Sequence, residues 1–258
     1  MSALGGLRPR AVGALRRFTY LVPVALSRRV KGRAEIFFWK AELERYVRWY
    51  RGEPLHGAPG PRPEQLVTGH TPEVDAAMTF LRVVQYPRYL TALDLAPDAL
   101  AGKRVLDVGC GPMANLLVFT ECERHGIDPL VDRYRAAGFP LEEWAAEGFA
   151  YHCAPAEKMP FPENSFDVVV SVNAIDHVDD FEAVAREIQR VLRPDGHLRM
   201  QVNYHPPTVT EPVSLSDAAV ERTYGWASGL RKLRDEPHPV EDGERLTLWG
   251  GGPEPAMA

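Results

Sequence analysis

"VLDVGCGPMANLL", Val105–Leu117, decides the fold. An apolar run carrying one acid leads straight into two glycines. Such a run, bounded by glycine, reads as a buried parallel strand, and the loop after the first strand of a parallel sheet is where ligands bind. Glycine lets the backbone approach a ligand with no Cβ in the way. Gly109, Gly111 and Ala114 also satisfy the G-x-G-x-x-G/A pattern of a dinucleotide site. Three features speak against a pyrophosphate. No lysine or serine/threonine completes a phosphate loop. Asp107, two residues before Gly109, would repel an anion and favour a cation, such as the ammonium of an amino acid. The unit follows about a hundred residues of other material, not the chain start.

Working outward, strand and helix patterns alternate. Arg124–Ile127 reads as a second strand followed by Asp128, and Phe149–Cys153 as a third. "FDVVVSV", Phe166–Val172, is the near-continuous apolar run of a central strand. Phe181–Leu192 is an amphipathic helix that stops before Pro194, and His197–Val202 a fifth strand. Met113–Thr120 and Leu215–Tyr224 read as helices, and Leu230–Leu233 and Arg245–Trp249 as two last strands. The alternation predicts an α/β fold: a doubly wound, Rossmann-like, mostly parallel seven-stranded sheet.

Before this domain, Glu35–Tyr50 and Pro72–Leu95 have helical spacing, the second broken at Pro87 and started by Thr71 before Pro72. The aromatic density of the first could line a pocket or simply pack. Gly52–His70, rich in proline and glycine, reads as a linker. Residues 1–33 carry eight Lys/Arg and no acid, as either a packed arm or a basic helix touching an anionic membrane surface, although Pro9 and Pro23 interrupt it. The expected organisation is an N-terminal arm and helical extension over 1–98, a ligand-binding domain over 99–250 and a disordered tail over 251–258.

The 258 residues allow a sizeable core. A formal charge of −5 gives no reason to expect nucleic acid. Cys110, Cys122 and Cys153, with no C-x-x-C pair, suit a reducing, cytoplasmic setting and predict no metal site. Tyr20–Leu26 is too short to span a bilayer, and the basic residues after it do not suit a cleaved signal.

Asp128 lies nineteen residues after Gly109, where a carboxylate can accept the hydroxyls of a ribose. Together with "VLDVGCGP" and "GIDP", the segments "CAPAEKMPFPENSFDVVVSVNAIDHVDD" (Cys153–Asp180) and "VLRPDGHLRMQV" (Val191–Val202) resemble class I S-adenosylmethionine-dependent methyltransferases of the small-molecule type. The resemblance covers roughly residues 100–202. It implies S-adenosyl-L-methionine as cofactor. Asp107, Gly109, Cys110 and Gly111 would lie along its amino-acid moiety and ribose. Asp128 would take the ribose hydroxyls, Pro129 and Leu130 the adenine face, and Ala156 and Glu157, by main chain, the adenine edge. Asn173 and Ala174 would stand beside the sulfonium. The chain departs from the pattern at Pro155, where relatives commonly have an acid, at the missing third glycine, and at Asp176, where many have histidine.

A sulfonium methyl is already activated, so alignment and water exclusion do most of the work. A base is needed only for an acceptor that must lose a proton, as a hydroxyl does. Asp176 and His177 follow the fourth strand; a near-neutral imidazole makes His177 the first choice, unless it only packs. Asp179 and Asp180 suit the start of the next helix. His205 is a second candidate and Glu211 a weaker one. The expected function is methyl transfer to a small-molecule acceptor, at oxygen. Its rivals are a non-catalytic cofactor-binding partner, an acceptor that is a lipid or lipid-linked sugar, and a nicotinamide-dependent oxidoreductase.

Overall fold

The computed structural model describes residues 24–55, 58–208, 211–239 and 243–252, with side chains described from Val30 onward. The basic residues up to Arg17, and His56, therefore lie outside it, as does the tail beyond Gly252, and Arg28 and Arg29 are described in backbone only.

The sheet has seven strands in the order β3-β2-β1-β4-β5-β7-β6. They are β1 (Arg104–Val108), β2 (Glu123–Ile127), β3 (Phe149–His152), β4 (Phe166–Val172), β5 (Leu192–Tyr204), β6 (Arg231–Pro237) and β7 (Arg245–Gly251). All neighbours pair in parallel except β7, which runs antiparallel to β5 and β6. The order reverses direction between β1 and β4, which creates a crevice at their carboxyl ends.

Alternation along β1 splits the core into two layers. Val105 packs into one apolar cluster, while Leu106 and Val108 pack into the other. The first layer is roofed by α1 (Val24–Tyr50) and by α2 (Pro72–Phe80), which continues through a π-helical turn, Leu81–Gln85, into α3 (Tyr86–Leu93). The second is closed by α6 (Phe181–Val191) and α7 (Asp217–Tyr224). Two short helices, α4 (Val131–Ala136) and α5 (Leu141–Ala146), connect β2 to β3.

The first four strands and the caps hold closely, while β5 starts five residues before the expected His197 and β6 runs four residues past the expected Leu233. The Thr71 side chain accepts from Val74 N–H at 3.4 Å, and Asp180 caps α6 by accepting from Ala183 N–H at 2.9 Å. Four expectations need correction. The helix expected from Glu35 starts eleven residues earlier, at Val24. Pro87 does not break the second helix, because the wide π turn ends just before it and leaves proline in the opening turn of α3, where a missing N–H costs little. Met113–Thr120 makes only the 3-10 turn Asn115–Val118, too few residues to nucleate a helix. Gly250 and Gly251 belong to β7, where a Cβ on Gly250 would meet Leu233 at 2.7 Å.

Candidate active site

A cavity of about 320 Å³ opens at the carboxyl ends of β1, β2 and β4. The loop after β1 is held in a shape that glycine alone permits cheaply. Gly109 and Gly111 have φ of +76° and +59°, and a Cβ on Gly109 would lie 2.3 Å from that of Ala174. Tyr151 steadies this loop by donating its hydroxyl to Pro112 O at 3.1 Å.

Asp128 sits at the end of β2, with each carboxylate oxygen already on a main-chain donor. Oδ2 accepts from Gly111 N–H at 3.2 Å and Oδ1 from Leu130 N–H at 2.8 Å. The Tyr134 hydroxyl is a third hydrogen-bond partner of this carboxylate, which leaves one lone pair for a further hydroxyl. Burial pushes its pKa up to about 6, against the pull of those two hydrogen bonds. Pro129, Ala156, Glu157 and Asn173 also line the cavity. Glu157 has a structural task there: its Oε1 accepts from Asp179 N–H at 2.9 Å and Asp180 N–H at 3.3 Å, tying its segment to the loop after β4. Asn173 takes the left-handed region at φ +50°, a conformation that asparagine tolerates better than most residues and that clusters at functional sites.

Three expected site residues do not reach the wall. Asp107 and Cys110 are buried behind it. Asp107 points, like Val105, to the layer containing Tyr89, where burial raises its pKa to about 7 and Tyr89 opposes the shift. Cys110 packs as a small apolar group with its thiol pKa pushed well up by burial, which makes it inert. Asp176 is fully buried behind His177.

His177 does line the cavity, but not as the near-neutral base expected. Its Nδ1 lies 3.0 Å from Glu35 Oε1, and its Nε2 3.7 Å from Glu211 Oε1 and 4.0 Å from Asp176 Oδ1. Burial lowers its pKa, but the surrounding carboxylates outweigh burial and raise it. His205 also faces acceptors at both nitrogens, Pro206 O at 2.7 Å and Asp176 Oδ2 at 2.9 Å. Burial lowers its pKa, but the Asp176 carboxylate and the Pro206 carbonyl outweigh burial and raise it to about 9, which favours the imidazolium donating from both nitrogens.

The third wall comes from α1. Lys31, Gly32, Glu35 and Trp39 face the cavity. Lys31 donates to the main-chain oxygen of His177 and lies 3.6 Å from Asp179. The Trp39 ring stands over Gly111 and packs edge-on against Tyr134 and Phe139. No motif marks Lys31 or Glu35, which sit more than a hundred residues from the loops they touch; the one available signal was the aromatic density around Trp39.

Residues 106–200 match a protein-family model described as a methyltransferase domain. The chain is 30% identical over 156 residues to the uncharacterized methyltransferase YcgJ of Bacillus subtilis, covering 59% of this chain and 55% of that protein. It is 37% identical over 101 residues to the sterol 24-C-methyltransferase ERG6B of Gibberella zeae, covering 37% of this chain and 26% of the other. It is 33% identical over 165 residues to the 27-O-demethylrifamycin SV methyltransferase of Amycolatopsis mediterranei, covering 57% of this chain and 59% of the relative. The crystal structure of YcgJ superposes with a TM-score of 0.51 at 17% identity over 66% of this chain and 98% of that one, a likeness of fold. The matches thus span about a quarter to three fifths of these relatives' own lengths. The matched segment runs from β1 into β5, so it holds the loops after β1, β2 and β4 but neither α1 nor the loop after β5.

Proposed function

From the premise that this chain carries a class I S-adenosylmethionine-dependent methyltransferase domain, we propose that it transfers the methyl group of S-adenosyl-L-methionine to a small-molecule acceptor, at oxygen. The observation that carries the reading is the Asp128 carboxylate, fixed by two main-chain donors at the mouth of a glycine-shaped loop. Such a carboxylate keeps a free acceptor position for a ribose hydroxyl, and the adjacent wall of Pro129, Leu130 and Ala156 suits an adenine. The amino-acid end of the donor would lie along Gly109 and Gly111. Asp107, expected to meet its ammonium, acts from behind the loop as a buried negative charge when ionised.

Acceptance at oxygen is supported by the polar groups beside the donor position. Glu35 and His177 face the cavity, and Asp176, His205 and Glu211 stand behind them. A carbon acceptor would be served by an apolar wall; hydroxyl acceptors are served by donors and acceptors of this kind. The relative whose name records an O-demethyl substrate aligns over a longer stretch than the sterol enzyme does. Helix α1 closes the site as a lid, pinned through Lys31 and Glu35, and so excludes water from the reacting centre.

Titration calorimetry with S-adenosylmethionine, S-adenosylhomocysteine and NAD tests the reading. Saturable binding of both sulfur ligands and none of NAD is expected. Mass spectrometry of a hydroxylated acceptor library should then show methyl gain at oxygen. Binding of NAD in preference to the sulfur ligands would overturn the proposal, and methyl gain only at carbon or nitrogen would overturn its choice of atom.

A second reading places the acceptor in a membrane. Helix α1 exposes Val30, Phe37 and Phe38, the middle one 75% exposed, beside basic residues of the same helix. No helix among the described residues is long and apolar enough to cross a membrane. Co-sedimentation with anionic vesicles that is lost in a Phe37→Ser, Phe38→Ser variant would favour this acceptor class.

A further inference from the structure

We propose that Asp176 Oδ1, His177 Nε2 and Glu211 Oε1 form a binding site for a divalent transition-metal cation. Its role in holding an acceptor oxygen rests on the methyltransferase reading; its ligand set does not.

The three atoms lie within 4.8 Å of one another. His177 Nε2 is 4.0 Å from the Asp176 oxygen and 3.7 Å from the Glu211 oxygen. These separations are too long for hydrogen bonds. They are only slightly longer than the roughly 3–3.5 Å that separates neighbouring ligands around a cation bound at about 2.0–2.2 Å. Asp176 Oδ1 and His177 Nε2 are also both buried with no hydrogen-bond partner among the described residues. Two such atoms aimed at one point are costly unless something satisfies both.

The strongest argument is what happens on the other side of each group. The second ring nitrogen of His177 is held by Glu35 at 3.0 Å. The second oxygen of Asp176 is held by His205 at 2.9 Å. The second oxygen of Glu211 accepts from the Thr208 hydroxyl at 2.8 Å. Each candidate ligand is therefore oriented by one partner on its outer atom while its inner atom faces the other two. A carboxylate–histidine pair with the remaining nitrogen turned to a common centre is how a metal-bound histidine is fixed in its tautomer. One imidazole and two carboxylates suit manganese, iron, cobalt or zinc better than calcium. Three protein ligands leave coordination positions open. Since His177 lines the donor cavity, an oxygen bound there would stand beside the donor methyl.

The test uses the full chain, treated with EDTA and exchanged into metal-free buffer. Mn2+ is titrated and free Mn2+ followed by electron paramagnetic resonance; Co2+ binding is followed by its visible absorption. One saturable Mn2+ per chain is expected, with binding strongly weakened in Asp176→Asn and His177→Gln. Glu35→Gln, which removes only an orienting partner, should weaken it roughly 10–100-fold. Circular dichroism and S-adenosylhomocysteine calorimetry on Asp176→Asn check that the fold and donor pocket persist. Absence of saturable Mn2+ and Co2+ binding in a chain that binds S-adenosylhomocysteine overturns the metal site and leaves the methyltransferase reading standing. Equal Mn2+ affinity in the wild type and all three variants overturns it too. Saturable Mn2+ binding without S-adenosylhomocysteine binding keeps the site and removes the methyltransferase reading.

Discussion

On the proposed function this cavity has a donor side and an acceptor side, and the two are built in opposite ways. The donor side is three loops that each follow directly on a strand, so each functional residue is placed by its own neighbours in sequence: Gly109 by β1, Asp128 by β2, Asn173 by β4. The acceptor side is assembled across the chain. Glu35 meets His177 over a separation of 142 residues, and His205 meets Asp176 over 29. The donor side is made of backbone and one carboxylate, and the acceptor side of charged side chains that answer one another.

This contrast can be broken experimentally. Gly109→Val should have the largest effect, because its Cβ would meet Ala174 at 2.3 Å in a backbone region that β-branched residues avoid. Loss of measurable S-adenosylhomocysteine binding and a destabilisation of about 1–3 kcal/mol in urea unfolding are expected. Binding that survives would mean that the loop does not touch the donor. Asp128→Ala should weaken the same ligand by about 1–3 kcal/mol by calorimetry, since hydroxyls would be left unpaired in a closed site; an unchanged affinity would move the ribose elsewhere.

The pH dependence follows from burial. Asp107 and Asp128 titrate at about 7 and about 6 in the folded chain, above the usual 3.8. The folded state therefore holds more protons than the unfolded one between about pH 4 and 7. By linkage, these two groups make the ligand-free chain less stable as pH rises through that window. Thermal unfolding from pH 5 to 8 should show a shallower fall in Asp107→Asn; an identical slope would show that Asp107 is not a raised carboxyl.

Helix α1 gives a smaller effect. Trp39→Ala removes the ring over Gly111, so S-adenosylhomocysteine should dissociate several-fold faster in stopped flow, without loss of the fold. No change would detach α1 from the donor side. Cys110→Ala should be the mildest, costing on the order of 1 kcal/mol of stability with turnover retained, because the thiol packs as a small apolar group. A large loss of turnover would put the thiol back on the wall of the site.

The donor side was legible because its signals are local. An apolar run, two glycines, and an acid at the end of the next strand sit within 24 residues, from Val105 to Asp128. Periodicity carried the strands equally well, because burial on both faces leaves little freedom in residue type. Roles were harder. Asp107 and Cys110 stood in the right stretch, but strand alternation and the loop's turn send their side chains behind the wall. Glu157 is expected at the cavity through its main chain, and its carboxylate is spent on two main-chain donors.

His177 shows where sequence reading stops. Its identity and position after β4 were readable, but its proton affinity depends on Glu35 and Glu211, which no spacing rule connects to it. The same distance hid the cluster of Asp176, His177 and Glu211: a ligand set spread over 36 residues and two loops matches no metal motif. By itself the sequence determined the sheet, the glycine loop and the acid at the end of the second strand, because strand burial and turn geometry act between neighbours. Only the tertiary structure decided which charges face one another across the cavity, because electrostatics acts through space and takes no account of the distance along the chain.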